Sequence, residues 1–236
     1  ILYAPVESNN YTYSNNVINI NNEDQLTQVI IYDVFTPPVA SRIYVYSSLA
    51  SYEAIRFAKE GTSSIAEKLN GFGKMPVPEK GKNYNFSLAA TKAFFKVTRN
   101  VKVFSIDSLT KYEQSVYNNY KANLDEATYK NSIAFGDTVA AVILARAKTD
   151  GYAISRGKQK YLGSNEPGKW RPTPPDYLDG VEWCWNTMKP MVLDSASQFK
   201  PNLPPKFESK PGTTFYGMMK EVYDINKNLT DEQKLI

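Results

Sequence analysis

The stretch that decides the fold is TPPVASRIYVYSSLASYEAI, residues 36–55. Thr36 suits the position before a helix and Pro37 suits its first residue, so we expect a helix to begin there and to end at Gly61. Its apolar side consists of Val39, Ile43, Tyr46, Ala50, Ala54 and Phe57, which recur at helical spacing. The remaining sides are also rich in apolar residues, and a helix of this kind belongs in the middle of a bundle.

Two charged residues, Arg42 and Glu53, flank this apolar side. They stand about 16 Å apart along a helix axis, so they cannot pair with each other. Because an unpaired buried charge is costly, each is expected to find a partner on another element. We favour two ion pairs of the scaffold over a catalytic role.

Three further helices are predicted, over about 86–100, 108–123 and 126–150. The last of these contains Gly136 on the same side as three small or aliphatic residues. Glycine inside a helix costs roughly 1 kcal/mol relative to alanine. We therefore expect another backbone to approach the helix closely at Gly136, as part of core packing.

The chain changes character over about 152–211, where proline and tryptophan concentrate. Nine of the 14 prolines lie between Pro167 and Pro211, and all three tryptophans lie between Trp170 and Trp185. A long segment of this composition is expected to lie irregularly across packed helices, because free tryptophan rings would be left in water. Trp170 is the candidate for holding this segment in place.

The whole chain, residues 1–236, is interpreted as a single helical region of an all-α protein. Its parts are an irregular lead-in over 1–35, core helices over 36–150, the proline-rich segment over 152–211 and further helices over 213–236. Within the lead-in, residues 1–22 are polar and lack any helical period.

The last residues raise a separate question, because Thr230 and Gln233 form a capping box that announces a helix near the end of the sequence. We expect this helix to run to the last residue without a C-cap. We also expect an apolar face on 36–60 or 213–228 that the chain itself cannot cover. That the chain is an incomplete half of a larger helical domain is what the family resemblance described below implies.

Composition excludes several kinds of chemistry. The chain has no histidine and one cysteine, Cys184, so the usual catalytic triads and most zinc sites cannot form. The net charge of +4 arises from scattered basic residues, which argues against nucleic acid as a partner. No window of 18 apolar residues predicts a membrane span.

Four stretches, in this order, carry a resemblance to bacterial vanadium-dependent haloperoxidase-like proteins of the type 2 phosphatidic acid phosphatase superfamily. They are TPPVASRIYVYSSLASYEAI (36–55), SIAFGDTVAAVILARAKTDGY (132–152), PGKWRPTPPDY (167–177), and MVLDSASQFKPNLPPKFES (191–209) leading into LTDEQKLI. The resemblance implies an α-helical fold. It also implies that the parent protein performs phosphoester hydrolysis or vanadate-dependent halide oxidation, with phosphate or vanadate bound by Lys, Arg and His motifs.

These family motifs cannot be mapped onto this chain. The Arg-Pro pair is Arg171–Pro172, and the position seven residues before Arg171 holds Ser164 instead of lysine. The motifs that contain histidine are ruled out by composition. No catalytic, cofactor-binding or metal-binding residue is therefore assigned. The chain resembles the N-terminal scaffold half of such an enzyme, truncated before the catalytic helices and inactive alone, with its own missing C-terminal half or another chain as partner.

Two alternatives from other classes stay open. An exported bacterial protein could bind glycans on an aromatic platform, for which Trp170, Trp183 and Trp185 are the candidates. The second alternative is a purely structural or assembly role. It includes a homo-oligomer in which the chain completes its core on another chain. Export to the periplasm or cell surface is expected in either case. Phosphatase and haloperoxidase chemistry are not distinguished by these residues.

Overall fold

The structure, a computed structural model, describes residues 15–101 and 103–235. Within these ranges it is all-α and contains no β-strand, which confirms the predicted fold class. The seven helices are α1 (Asn15–Tyr32), α2 (Pro37–Ile55), α3 (Phe86–Asn100), α4 (Ile106–Asn123), α5 (Glu126–Lys148), α6 (Tyr152–Arg156) and α7 (Thr214–Lys227). None of these helices has both the length and the apolar character needed to cross a bilayer.

The chain divides into two compact units. Unit 1 comprises Ile1–Gly157 and Cys184–Ala196, and unit 2 comprises Lys158–Trp183 and Ser197–Ile236. Helices α1 to α6 therefore belong to unit 1 and α7 belongs to unit 2. The sequence did not indicate this division, which splits the proline-rich segment between the two units.

The core of unit 1 is built on α2, as its sequence predicts. Thr36 is extended and Pro37 opens the helix. Five of the six residues on the predicted apolar side are buried: Val39, Ile43, Tyr46, Ala50 and Ala54. The helix ends at Ile55, earlier than expected, because Arg56–Ala58 tighten into a 3₁₀ turn. Gly61 then lies in a turn with a φ of +76° and does not cap α2.

The prediction of an irregular lead-in is wrong where α1 forms. Residues 15–22 were expected to be irregular, but they form the first part of an 18-residue helix. Asn22, Leu26, Val29 and Ile30 are buried against the core, at the spacing of one helix side. Tertiary packing thus overrides the weak helix propensity of asparagine. Residues 1–14 of the lead-in lie outside the described residues.

Helices α3, α4 and α5 agree with the predicted segments to within about two residues. Asn85 caps α3 by accepting a hydrogen bond from the Leu88 amide at 2.9 Å, and Asp125 caps α5 by accepting one from the Thr128 amide at 2.9 Å. Helix α6 corrects the start of the segment predicted to be irregular over about 152–211, because residues 152–156 are helical. From α6 to α7 the chain is irregular apart from a 3₁₀ turn at Trp185–Thr187, as predicted.

The capping box at Thr230 forms, but the predicted helix does not. The Thr230 amide donates to Gln233 Oε1 at 3.0 Å, and the Gln233 amide donates to Thr230 Oγ1 at 3.2 Å. Residues 231–234 nevertheless form only a turn, and Ile236 lies outside the described residues. A cap satisfies the first amides of a helix, whereas its growth depends on length and tertiary packing.

Candidate functional site

The strongest buried polar cluster of unit 1 joins α2 to the end of α5. Arg42 Nε donates to Asp150 Oδ2 at 2.7 Å, and Arg42 Nη2 donates to the Ala147 carbonyl at 3.0 Å. The Tyr46 hydroxyl donates to the same carboxylate oxygen at 3.1 Å. The prediction that Arg42 pairs with another element is confirmed. Because both charges of this pair are buried, it fixes the position of α5 against α2.

Arg146 on α5 is the second cation of this cluster, and sequence reasoning missed it. Its Nε donates to the Asn70 carbonyl at 2.8 Å, its Nη2 donates to the Lys189 carbonyl at 3.0 Å, and its Nη1 reaches the Tyr46 hydroxyl at 3.4 Å. Gly71, with a φ of +80°, lets the chain pass the guanidinium, because an added Cβ would lie 2.8 Å from Arg146 Nε. A charged residue inside the apolar run VAAVILARA was the available signal.

The electrostatics of this cluster keep Tyr46 neutral. Burial raises the pKa of the Tyr46 hydroxyl, and the Asp150 carboxylate raises it further. The hydroxyl therefore stays a hydrogen-bond donor at physiological pH. Arg42 Nη1 has no hydrogen-bond partner in the described part of the chain, but its guanidinium lies 4.3 Å from the Tyr152 ring centre. The arrangement supports a scaffold role more than proton transfer.

Glu53 forms a second polar site, and here the prediction is half correct. Its Oε1 accepts hydrogen bonds from Ser64 Oγ at 3.0 Å and from the amides of Ile65 and Ala66 at 2.7 and 2.8 Å. These donors come from another segment, as expected. The charge partner, however, is Arg56, three residues along the same chain segment, whose Nε lies 3.0 Å from Oε2 in a direction unsuited to a hydrogen bond. Residues three apart are neighbours on a helical turn, so the two charges can approach within one chain segment.

Gly136 confirms the expected close approach of two helices. A Cβ at this position of α5 would lie 2.4 Å from the carbonyl oxygen of Ala89 and 2.8 Å from Lys92 Cβ, both on α3. Only glycine leaves room for this contact. Its role is packing within the core.

The three candidate tryptophans are divided between the two units. In unit 2, the rings of Trp170 and Trp183 pack on the ring of Tyr161, with centres 5.5 and 5.9 Å apart and interplanar angles of 24° and 36°. Trp185 belongs to unit 1, where it packs edge-on against Tyr152 at 6.3 Å. Sequence reasoning missed Tyr161, whose position in an irregular segment carried no periodic signal.

The solvent exposure of Trp170 and Trp183 is 48% each. A sugar-binding platform needs ring faces that are open side by side, whereas these rings share their faces with Tyr161. Glycan binding by this group stays a prediction.

One cavity of about 440 Å³ lies beside α5. Its lining residues are Gly71, Gly73, Lys74, Ala141, Val142, Ala145 and Arg146. The lining contains no carboxylate, hydroxyl or thiol, so Lys74 is its one side chain of a type that serves as a nucleophile or general base, and no second such group accompanies it. Arg146 is already engaged by carbonyl oxygens.

The residues present do not fit the vanadate or phosphate that the resemblance implies. Such an oxyanion needs several cationic donors that are free to hold it. In the described part of the chain, all the buried and half-buried cations are engaged, in ion pairs or with carbonyl oxygens: Arg42, Arg56, Lys92, Lys96, Arg99 and Arg146. The sequence has no histidine, and the described residues contain no group of three His, Cys, Asp or Glu that could hold a metal ion.

The chain is a helical protein with the vanadium haloperoxidase-like fold, which confirms the resemblance found in its sequence. A solved structure that shows this is that of a bacterial vanadium-dependent iodoperoxidase, with a TM-score of 0.84 and 36% sequence identity. The similarity covers 93% of this chain and 52% of that chain, so this chain spans about half the length of that relative. No protein-family model matches the chain, and no curated protein matches it significantly.

Proposed function

We propose that this chain is the scaffold portion of a haloperoxidase- or phosphatase-like enzyme. The observation that carries the proposal is the contrast between its fold and its side chains. The helices match a vanadium-dependent iodoperoxidase at a TM-score of 0.84, yet the 236 residues contain no histidine. The scaffold therefore positions an oxyanion pocket whose donors lie on polypeptide outside these residues.

The reaction of the complete enzyme belongs to one of two classes, phosphoester hydrolysis or vanadate-dependent halide oxidation. Both need an anion with trigonal-bipyramidal geometry to be held by several cations. Within this chain, Arg42 and Arg146 instead hold helices and loops together. The 236 residues alone are accordingly expected to catalyse neither reaction. Export from a bacterial cell is part of the same proposal, and fractionation of the source cells tests it.

The test uses the purified 236-residue chain in two assays, hydrolysis of p-nitrophenyl phosphate and oxidation of iodide by hydrogen peroxide with added vanadate. We expect neither rate to exceed that of the heat-denatured chain. The iodoperoxidase, assayed in parallel, shows that the second assay works. Hydrolysis or iodide oxidation that stays with the chain through two chromatographic steps would overturn the proposal.

A second measurement concerns the protein isolated from its natural source. If the scaffold works as part of one polypeptide, its intact mass lies well above the 26.6 kDa of these residues. If the parts are separate chains, the mass stays at 26.6 kDa and a second polypeptide co-purifies. Isolation of an active enzyme made of this chain alone would contradict both arrangements.

A further inference from the structure

Helix α7 carries an exposed apolar side, which we call the α7 face and define as Met218, Met219, Val222 and Ile225. Steps of three and four residues place these side chains along one side of the helix. Their exposed fractions are 52%, 53%, 64% and 58%, respectively. A helix that is amphipathic in sequence is normally covered on its apolar side, so these values indicate a surface that binds a partner.

No described residue of unit 2 is buried. Phe207 and Phe215 pack on each other at 5.1 Å, but neither is fully shielded from solvent. A unit of this size without buried side chains cannot offset the conformational entropy that its ordering costs. It therefore needs apolar cover from elsewhere.

The chemistry of α7 indicates what kind of partner covers it. On its polar side, Lys220 forms an ion pair with Asp224 at 2.7 Å, and Glu221 and Lys227 add one charge of each sign. Helices that bind membrane surfaces or nucleic acid carry an excess of basic residues on the polar side, which α7 lacks. Methionine and aliphatic side chains instead suit an apolar helix of another polypeptide, because methionine adapts its shape to its partner.

The iodoperoxidase indicates which polypeptide this is. The similarity covers 52% of that chain, so a large part of the iodoperoxidase polypeptide has no counterpart in these residues. We propose that the α7 face docks against the polypeptide corresponding to the uncovered remainder of the iodoperoxidase chain, either in the same chain or in a separate one. This inference rests on the proposed function, and it identifies the surface through which the scaffold holds the part that carries the chemistry.

Photo-crosslinking in the protein produced from its own gene in its own host tests the inference. A p-benzoylphenylalanine in place of Val222 reports the neighbours of the α7 face. The matched control places the same group at Gly217, which lies on the opposite side of α7 and where an added Cβ meets nothing within 4 Å. Both positions are exposed, so neither replacement disturbs a buried side chain.

We expect position 222 to crosslink to a peptide that aligns with the uncovered part of the iodoperoxidase, at least tenfold more efficiently than position 217. Crosslinks from position 222 to a second copy of this chain, to residues within the same 236, or to lipid would overturn the inference, as would equal yields from the two positions. Hydrogen exchange over 214–227 gives a second readout and should be at least tenfold slower in the native protein than in the 236-residue chain.

The two proposals fail in different ways. Suppose the crosslinked polypeptide aligns with the iodoperoxidase but the purified complex has no haloperoxidase or phosphatase activity. The docking surface is then supported and the proposed function is contradicted. If the complex is active but position 222 crosslinks no better than position 217, the proposed function stands and the docking surface falls.

Discussion

Replacing Gly136 by alanine tests the close contact between α3 and α5 in the core of unit 1. An alanine Cβ would lie 2.4 Å from the Ala89 carbonyl oxygen, whereas ordinary contacts begin at 3.4 Å. The carbonyl belongs to the backbone of α3 and cannot rotate away. Helices α3 and α5 would have to separate by about 1 Å, which loosens the close-packed interior between them.

Two opposing terms set the size of the effect of Gly136→Ala. Alanine favours the helical state by about 1 kcal/mol over glycine. Forcing a methyl group into a filled core costs typically 1–3 kcal/mol, and we take about 3 kcal/mol because the clash is with backbone. The net expectation is a loss of about 2 kcal/mol in the free energy of unfolding. For a protein of this length the thermal midpoint should fall by roughly 4–8 °C.

Urea and thermal unfolding, both followed by circular dichroism, measure this change. The control is Gly217→Ala on α7, where the added methyl group meets nothing within 4 Å. That variant should keep or increase the helix content and leave the midpoint of unit 1 unchanged. A Gly136→Ala protein as stable as the wild type would show that α3 and α5 are not in the close contact described, and the packing argument would fail.

Two further predictions concern buried polar groups. Asp150→Ala leaves the Arg42 guanidinium buried without its counter-charge, so we expect a loss of about 3–5 kcal/mol in urea unfolding. Adding Arg42→Met should restore part of that stability, and a double variant weaker than the single one would contradict the ion-pair argument. Burial raises the pKa of Tyr120 to about 12, so the folded state holds this proton more tightly than the unfolded chain, whose tyrosine titrates near 10. The contribution of Tyr120 to the free energy of unfolding should therefore be fully present below pH 10 and be lost as the pH rises from 10 towards 12. Tyr120→Phe should lessen that fall, and identical pH profiles for the two proteins would rule out this contribution.

Local signals in the sequence predicted the structure correctly where a residue type is tolerated in only a few backbone arrangements. Pro37 marked the start of α2, and Gly136 marked a close helix contact, because few arrangements tolerate either residue in a helix. The need for a partner at Arg42 could also be inferred, since burial of a charge demands one. Its identity could not be inferred, because Asp150 lies 108 positions away in sequence.

The failures have a common physical cause, which is that packing decides what local preference leaves open. Asn22 and its neighbours lack helical preference, yet α1 forms because Leu26 and Ile30 find a core to join. The cap at Thr230 forms in the absence of a helix, because residues 230–235 are exposed and gain no packing from the described part of the chain. The charge of Arg146 inside an apolar run indicated that it needs partners, but most of these are backbone carbonyls, which no sequence pattern reveals.

Because Arg146 bonds to backbone carbonyls, substitutions at its partner positions have little effect on these hydrogen bonds. Arg146 hydrogen-bonds to the carbonyl oxygens of residues 70, 189 and 190, and every amino acid supplies this oxygen. Those three positions can change their side chains and still keep the bonds. Position 146 has no such freedom, since the compact ammonium group of lysine cannot reach in several directions as the planar guanidinium does. Arg146 thus constrains residues 70, 189 and 190 through their backbone and not through their side chains.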